Sequence, residues 1–185
     1  MTSPPRARAP ELVTTRWFNT ARPVTLASLT GRVVLLHTFQ MLCPGCVAHA
    51  LPQAEKIYRM FRGSGVSVIG LHTVFEHHAA MTDVALEAFI HEYRLTFPIG
   101  VDEAATSGPI PTTMAAYDFR GTPSTVLIDR AGFVRYHNFG QEDDLALGFN
   151  IGSLLAEAPV MAAAHSSSLS LSPGCDDGAC PLPAG

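Results

Sequence analysis

Phe39-Gln40-Met41-Leu42-Cys43-Pro44-Gly45-Cys46 lies between a strand-like run and a helix-like one, and it holds two cysteines. Upstream, Val33-Val34-Leu35-Leu36-His37-Thr38-Phe39 has the length and β-branched, apolar composition of a buried strand. Downstream, Val47, Ala50, Leu51, Ala54, Ile57, Tyr58 and Phe61 recur at the spacing of one helical face, and Pro44 suits a first helical position. The pattern therefore predicts a helix over 44–62 with Cys43 at its N-cap.

That placement has chemical meaning. Unpaired N–H groups and the positive end of the helix dipole stabilise a thiolate at Cys43, and the thiolate is the nucleophilic form of cysteine. Cys46, one turn on, lies on the same side and can attack a mixed disulfide formed at Cys43, closing an intramolecular disulfide and releasing the partner. A C-x-x-C on a strand-to-helix turn reads as a redox dithiol. The competing reading is half of a zinc site, which needs a second Cys or His pair elsewhere.

Three segments together resemble the thioredoxin superfamily, specifically the redoxin branch of TlpA-type thiol–disulfide oxidoreductases and the thioredoxin domains found beside NHL repeats. They are Leu29-Thr30-Gly31-Arg32-Val33-Val34-Leu35-Leu36, the dithiol Cys43-Pro44-Gly45-Cys46, and Gly121-Thr122-Pro123-Ser124-Thr125-Val126-Leu127-Ile128-Asp129. The resemblance implies an α/β, thioredoxin-like fold, a central mixed β-sheet flanked by helices, over residues 11–156. It also implies that Pro123 is cis and faces the disulfide, and that Thr122, Pro123, Pro44 and Gly45 contact substrate. His37 stands where thioredoxins place a buried acid beneath the second cysteine. An imidazole of near-neutral pKa there is a candidate base for Cys46, set against an ordinary core histidine. The family's tryptophan before the first cysteine is replaced by Leu42, so the usual docking surface is altered.

The 185 residues suffice for one domain with a full core, and 47% hydrophobic content fits a globular protein. A net charge of −4 without a basic cluster argues against a nucleic-acid partner. Arginine outnumbers the single lysine, Lys56, and carries no functional weight. Met1 to Pro10 is positively charged but has no apolar run behind it, and no stretch reaches the ~18 apolar residues of a membrane span. The expectation is a cytoplasmic protein with no membrane partner, in which a cysteine pair is more often catalytic than structural. Its expected partners are protein or small-molecule thiols and disulfides and a cellular dithiol reductant or oxidant, with no cofactor and no metal.

Residues 1–10, rich in Pro and Arg, are expected to be disordered. Glu11 to Ala21 is expected to form an extended segment or hairpin that packs Trp17 and Phe18. Arg62-Gly63-Ser64-Gly65 turns the chain into the strand Val66–Leu71. Thr82 and Asp83 cap an amphipathic helix reaching Tyr93, a short strand follows at Phe97–Asp102, and 112–117 reads as a short helix. Ser124–Asp129 and Phe133–Phe139 flank Arg130-Ala131-Gly132 as a hairpin, and Asp143 to Ala156 as the final helix. His72, Glu76, His77 and His78 include enough ligands for Zn²⁺, although their spacing matches no known site.

Residues 157–185 read as a flexible tail, Ala-, Ser- and Pro-rich, that ends in Cys175-Asp176-Asp177-Gly178-Ala179-Cys180. This second pair is a mobile dithiol relaying electrons to Cys43 and Cys46, a metal-binding end, or a bystander. A linker of about 20 residues has an r.m.s. span of roughly 25 Å, so a relay is geometrically allowed. Two other functions compete with the oxidoreductase. A peroxiredoxin-like peroxide reductase is disfavoured by Gln40 in place of the family threonine and by the absence of a proline in the preceding strand. A metal-handling module would combine Cys43 and Cys46 with Cys175 and Cys180, or with His49.

Overall fold

The computed structural model describes residues 7–157. Six strands form one mixed sheet: β1 Thr14–Phe18, β2 Val33–Phe39, β3 Val66–His72, β4 Ile99–Asp102, β5 Ser124–Ile128 and β6 Val134–Phe139. Their spatial order is β1-β4-β3-β2-β5-β6. β2, β3 and β4 run parallel, whereas β1, β5 and β6 pair antiparallel to their neighbours. The helices are α1 Leu51–Met60, α2 Asp83–Glu92, α3 Thr112–Ala116 and α4 Asp144–Ala156.

β2 is central, and all seven of its residues are buried because helices cover both faces of the sheet. Strand alternation divides it: Val33, Leu35 and Phe39 join a core with residues of α1, α2 and α4 such as Leu51, Leu86 and Leu147. Val34 and Leu36 face a second core built around Met114, Tyr117 and Phe119 near α3. Gly70 of β3 has a packing reason, since a Cβ there would come within 2.7 Å of the Phe97 ring.

Local chemistry sets the element ends. The Thr82 hydroxyl accepts from the Ala85 N–H and starts α2, and the Asp143 carboxylate accepts from the N–H groups of Leu145 and Ala146 and starts α4. Buried Asp102 accepts from Thr113 and Met114 N–H and from the Thr73 hydroxyl, tying α3 to the sheet. In the β5–β6 turn Asp129 Oδ1 accepts from Ala131 and Phe133 N–H, and Gly132 takes φ +86°.

Two readings change. Within the segment expected to be disordered, residues 7–9 are paired with the hairpin turn: Ala9 N–H donates to Gly132 O, Val134 N–H to Ala7 O, and Arg8 bridges Phe133. Backbone donors left open at a hairpin mouth capture a neighbouring extended chain. The segment around Trp17 takes the extended of its two expected forms, as the edge strand β1. The helix after the dithiol starts at Pro44 and ends at Met60, and its Cys46–Ala50 portion winds as a π turn in which Leu51 N–H donates to Cys46 O. The tail with Cys175 and Cys180 lies outside the described residues. Among those residues no helix is long and apolar enough to cross a membrane.

Burial holds both core histidines, His37 and His72, neutral down to about pH 4. An unfolded histidine takes its proton near pH 6.5. Stability is therefore undiminished by these groups above pH 6.5 and falls between pH 6.5 and 4, by up to about 1.4 kcal/mol per pH unit for each. Urea titrations across that window should show His72→Leu losing stability less steeply than the unsubstituted protein; parallel curves would mean that His72 does not resist protonation.

Candidate active site

Strand β2 delivers the chain to a turn, where Cys43 N–H donates to Gln40 O at 3.2 Å and Val47 N–H closes the first helical bond onto Cys43 O at 3.1 Å. Cys43 thus stands at the N-cap. Its sulfur fills the capping role, accepting from the N–H of Cys46 at 3.3 Å. The two sulfurs lie 2.6 Å apart, with Cys43 half-buried and Cys46 fully buried. Burial, and then the contact with Cys43, pushes the Cys46 thiol up to about 12, so at neutral pH it keeps its proton.

The late loop closes over this turn. Cys43 Sγ lies 3.4 Å from the Thr122 carbonyl as donor, and the Thr122–Pro123 peptide bond is cis. The Pro123 ring packs on Gly45, where a Cβ would meet Pro123 Cδ at 3.5 Å. Gly140 N–H donates to Pro123 O at 2.8 Å and fixes the loop to the end of β6. Thr122 and Pro123 therefore lie against the Cys43-Pro44-Gly45 turn.

Two contributors were not singled out from sequence as part of the site. Phe139, half exposed, lies against Gly121, where a Cβ would approach its ring to 3.1 Å, and with exposed Leu42 it gives the dithiol an apolar rim. The hairpin register, which pairs Phe139 with Ser124, is the signal that places it beside Pro123. Gln40 is buried; its Oε1 accepts from Phe75 N–H at 3.4 Å and its amide reaches Glu76 at 3.5 Å, anchoring the turn to the loop after β3.

His37 projects from β2 on the face shared with Leu35 and Phe39. Its Nδ1 is 3.1 Å from Thr125 Oγ1, and its Nε2 has no hydrogen-bond partner. It makes no hydrogen bond to Cys46. The expectation of a near-neutral pKa is corrected, because burial pushes the imidazole down to about 4. His37 lines a cavity of about 220 Å³ with His49, Gln53, Lys56, Glu142 and Asp144, so the buried ring borders a polar recess between the helix and the 140–144 segment.

The candidate zinc ligands are not brought together. His72 ends β3 inside the core, 5.2 Å from the Phe39 ring, whereas His77 and His78 are exposed on the following loop. Among the described residues no three His, Cys, Asp or Glu side chains converge as a metal site.

The burial difference predicts the order of alkylation. Iodoacetamide at pH 7 should label Cys43 well before Cys46 in the reduced protein, as read by peptide mass mapping; earlier labelling of Cys46 would reverse the two sulfurs.

Comparisons with known proteins agree with this architecture. A solved thioredoxin-like superfamily protein superposes with TM-score 0.80 at 55% identity, over 82% of this chain and 98% of that one. A solved thiol–disulfide isomerase from Corynebacterium glutamicum gives 0.77 at 49% identity, over 81% and 98%. Among curated relatives, Protein DipZ of Mycobacterium tuberculosis is 33% identical over 132 residues, 70% of this chain but 18% of DipZ. Thiol-disulfide oxidoreductase ResA of Bacillus anthracis is 26% identical over 121 residues, 65% of this chain and 62% of ResA. The chain thus spans less than two thirds of the length of either curated relative. The AhpC/TSA family profile matches residues 5–137, most of the chain, and together with the strand order, the dithiol turn and the cis-proline loop this shows that the chain belongs to the AhpC/TSA family with a thioredoxin-like fold.

Proposed function

We propose that the chain is a thiol–disulfide oxidoreductase working through a mixed disulfide at Cys43. One observation carries this reading: a half-exposed sulfur capping a helix N-terminus, in contact with a fully buried second sulfur whose proton is held. With a partner disulfide, the Cys43 thiolate attacks one partner sulfur, forming a Cys43–partner bond and expelling the other partner sulfur as thiolate. Cys46 then loses its proton and attacks Cys43 Sγ, forming the Cys43–Cys46 disulfide and releasing the second partner thiolate. Two electrons pass from the pair to the partner, and the reverse sequence oxidises a partner dithiol.

Pro44, Gly45, Thr122 and Pro123 seat the partner's chain, and the apolar rim of Leu42 and Phe139 favours polypeptide partners over small thiols. A cellular dithiol, reductant or oxidant according to the pair's potential, resets the couple. The names of the thiol–disulfide isomerase and oxidoreductase relatives support this class of substrate. For the proton of Cys46 we assign His37 as acceptor, the neutral imidazole carried by β2, the strand that ends at the dithiol turn. A neutral imidazole with an unpartnered Nε2 is able to take a proton there, but only as a weak base.

Cys46→Ser should accumulate mixed disulfides with partner proteins at Cys43, resolved on non-reducing gels, while Cys43→Ser should accumulate none. Traps formed equally by both variants, or by neither, sink the assignment, and rapid turnover of hydrogen peroxide by the dithiol would favour the peroxide-reductase reading instead. His37→Ala should slow release of the partner by about 10²-fold while leaving the first attack nearly unchanged. Because the ring stays neutral to about pH 4, release by the unsubstituted protein should show no inflection near pH 6.5. An equal effect of His37→Ala on both half-reactions would return His37 to a packing role.

A further inference from the structure

Helix α4 buries one face, through Leu147, Ile151 and Leu154, and leaves the opposite one bare. Leu145 is 83% exposed and Phe149, one turn on, 74% exposed. Between and beyond them stand Gly148 and Gly152, where a Cβ would meet nothing within 4 Å. Glycine weakens a helix interior relative to alanine, and nothing inside the described residues requires it at either position. Half-buried Gly148 and exposed Gly152, which carry no side chain, stand beside two exposed large apolar side chains, and we call this uncharged face the trough. No charged side chain occurs from Leu145 to Ala156.

The ends of α4 fix where the trough leads. Its C-terminal end is held far from the dithiol, where Arg130 donates to Leu155 O and Glu157 O, and Leu155 lies beside Gly65, which leads into β3 and accepts from Val33 N–H at the start of β2. Its N-terminal end is at the dithiol side: Asp144 bonds Lys56 and Gln53 of α1, and Gly140, three residues before the N-cap, donates to Pro123 O. The trough is thus a track about 20 Å long, at ~1.5 Å per residue, running from the point where the described chain ends back toward Cys43.

We propose that residues 158–174 return along this face of α4 and deliver the Cys175/Cys180 pair to the Cys43/Cys46 disulfide, so that the chain carries its own reducing dithiol. The proposal rests on the oxidoreductase reading above. Residues 158–174 contain no Asp, Glu, Lys or Arg, and their apolar members, Val160, Met161, Leu169 and Leu171, suit an uncharged trough. A proline, as at position 159, is disfavoured in a helix interior. Cys175 stands 18 residues beyond Glu157; a coil of that length spans about 23 Å, which matches the track. Cys180 is the attacking sulfur, since Asp176 and Asp177 beside Cys175 disfavour its thiolate. Its thiolate attacks Cys43 Sγ of the Cys43–Cys46 disulfide, forming Cys180–Cys43 and releasing the Cys46 thiolate, which takes up a proton. Cys175 gives up its proton and attacks Cys180 Sγ, closing Cys175–Cys180 and freeing the Cys43 thiolate. Two electrons move from the tail pair to the site pair, and an external dithiol later reduces the tail.

The test uses the full chain carrying Cys46→Ser and Cys175→Ser, treated with glutathione disulfide, which supplies the oxidising equivalents for a bond between the two remaining thiols. An intramolecular Cys43–Cys180 disulfide should form, identified by non-reducing peptide mapping. Adding Phe149→Asp, or separately Leu145→Asp, should slow its formation at least tenfold; both positions are solvent-exposed, so the fold is retained. Absence of the crosslink, a crosslink only between two chains, or a rate untouched by either substitution each overturns the proposal. In parallel, dithiothreitol should reduce the Cys43–Cys46 disulfide of Phe149→Asp as fast as that of the unsubstituted chain. If it reduces neither, the oxidoreductase reading itself fails; if it reduces both while the crosslink is missing, only the tail docking fails.

Discussion

Cys46 Sγ sits out of water beneath Cys43, and the free energy of charging a thiol there sets the order in which the two sulfurs react. The exposed sulfur meets the partner, while the buried one keeps its proton until the mixed disulfide has formed. This asymmetry requires a depth gradient across a single helical turn. Only a strand ending inside the protein and a helix starting at its surface provide one.

The scaffold is arranged to hold that gradient. β2 is buried on both faces, so its C-terminal end is fixed against two cores at once, and Gln40 ties the outgoing turn to the loop after β3. Pro123, seated on Gly45 and held through its own carbonyl by Gly140, closes the far side. Leu42 and Phe139 add exposed apolar surface beside the turn.

Much of this was legible in the sequence because it rests on local signals. The apolar run 33–39, the capping residues Thr82 and Asp143, and the turn at Gly132 act through backbone geometry within a few positions, and their elements fall close to where they are expected. The dithiol turn and its cis-proline partner were legible through a motif rather than through physics. What escaped depends on packing between distant segments. The pKa of His37 follows from complete burial among elements far apart in sequence, which no periodicity displays. Phe139 reaches the site only through the hairpin register. Residues 7–9 look like an unstructured leader by composition, yet they pair because the β5–β6 turn leaves backbone groups open.

The π turn at Cys46–Ala50 has a geometric consequence for how the helix can vary. At about 100° per residue, an uninterrupted α-helix would set the buried side of α1, centred on Leu51, Ala54 and Ile57, roughly a quarter turn away from Cys46. The wider i→i+5 winding removes about that much rotation, so the second sulfur and the core-facing side chains share one meridian. The turn acts as a phase adjuster between two fixed registers, one dictated by disulfide chemistry and the other by the sheet. A one-residue deletion within Val47–His49 would restore ordinary winding while leaving both registers aligned, making this the stretch of the helix where a change of length is least disruptive.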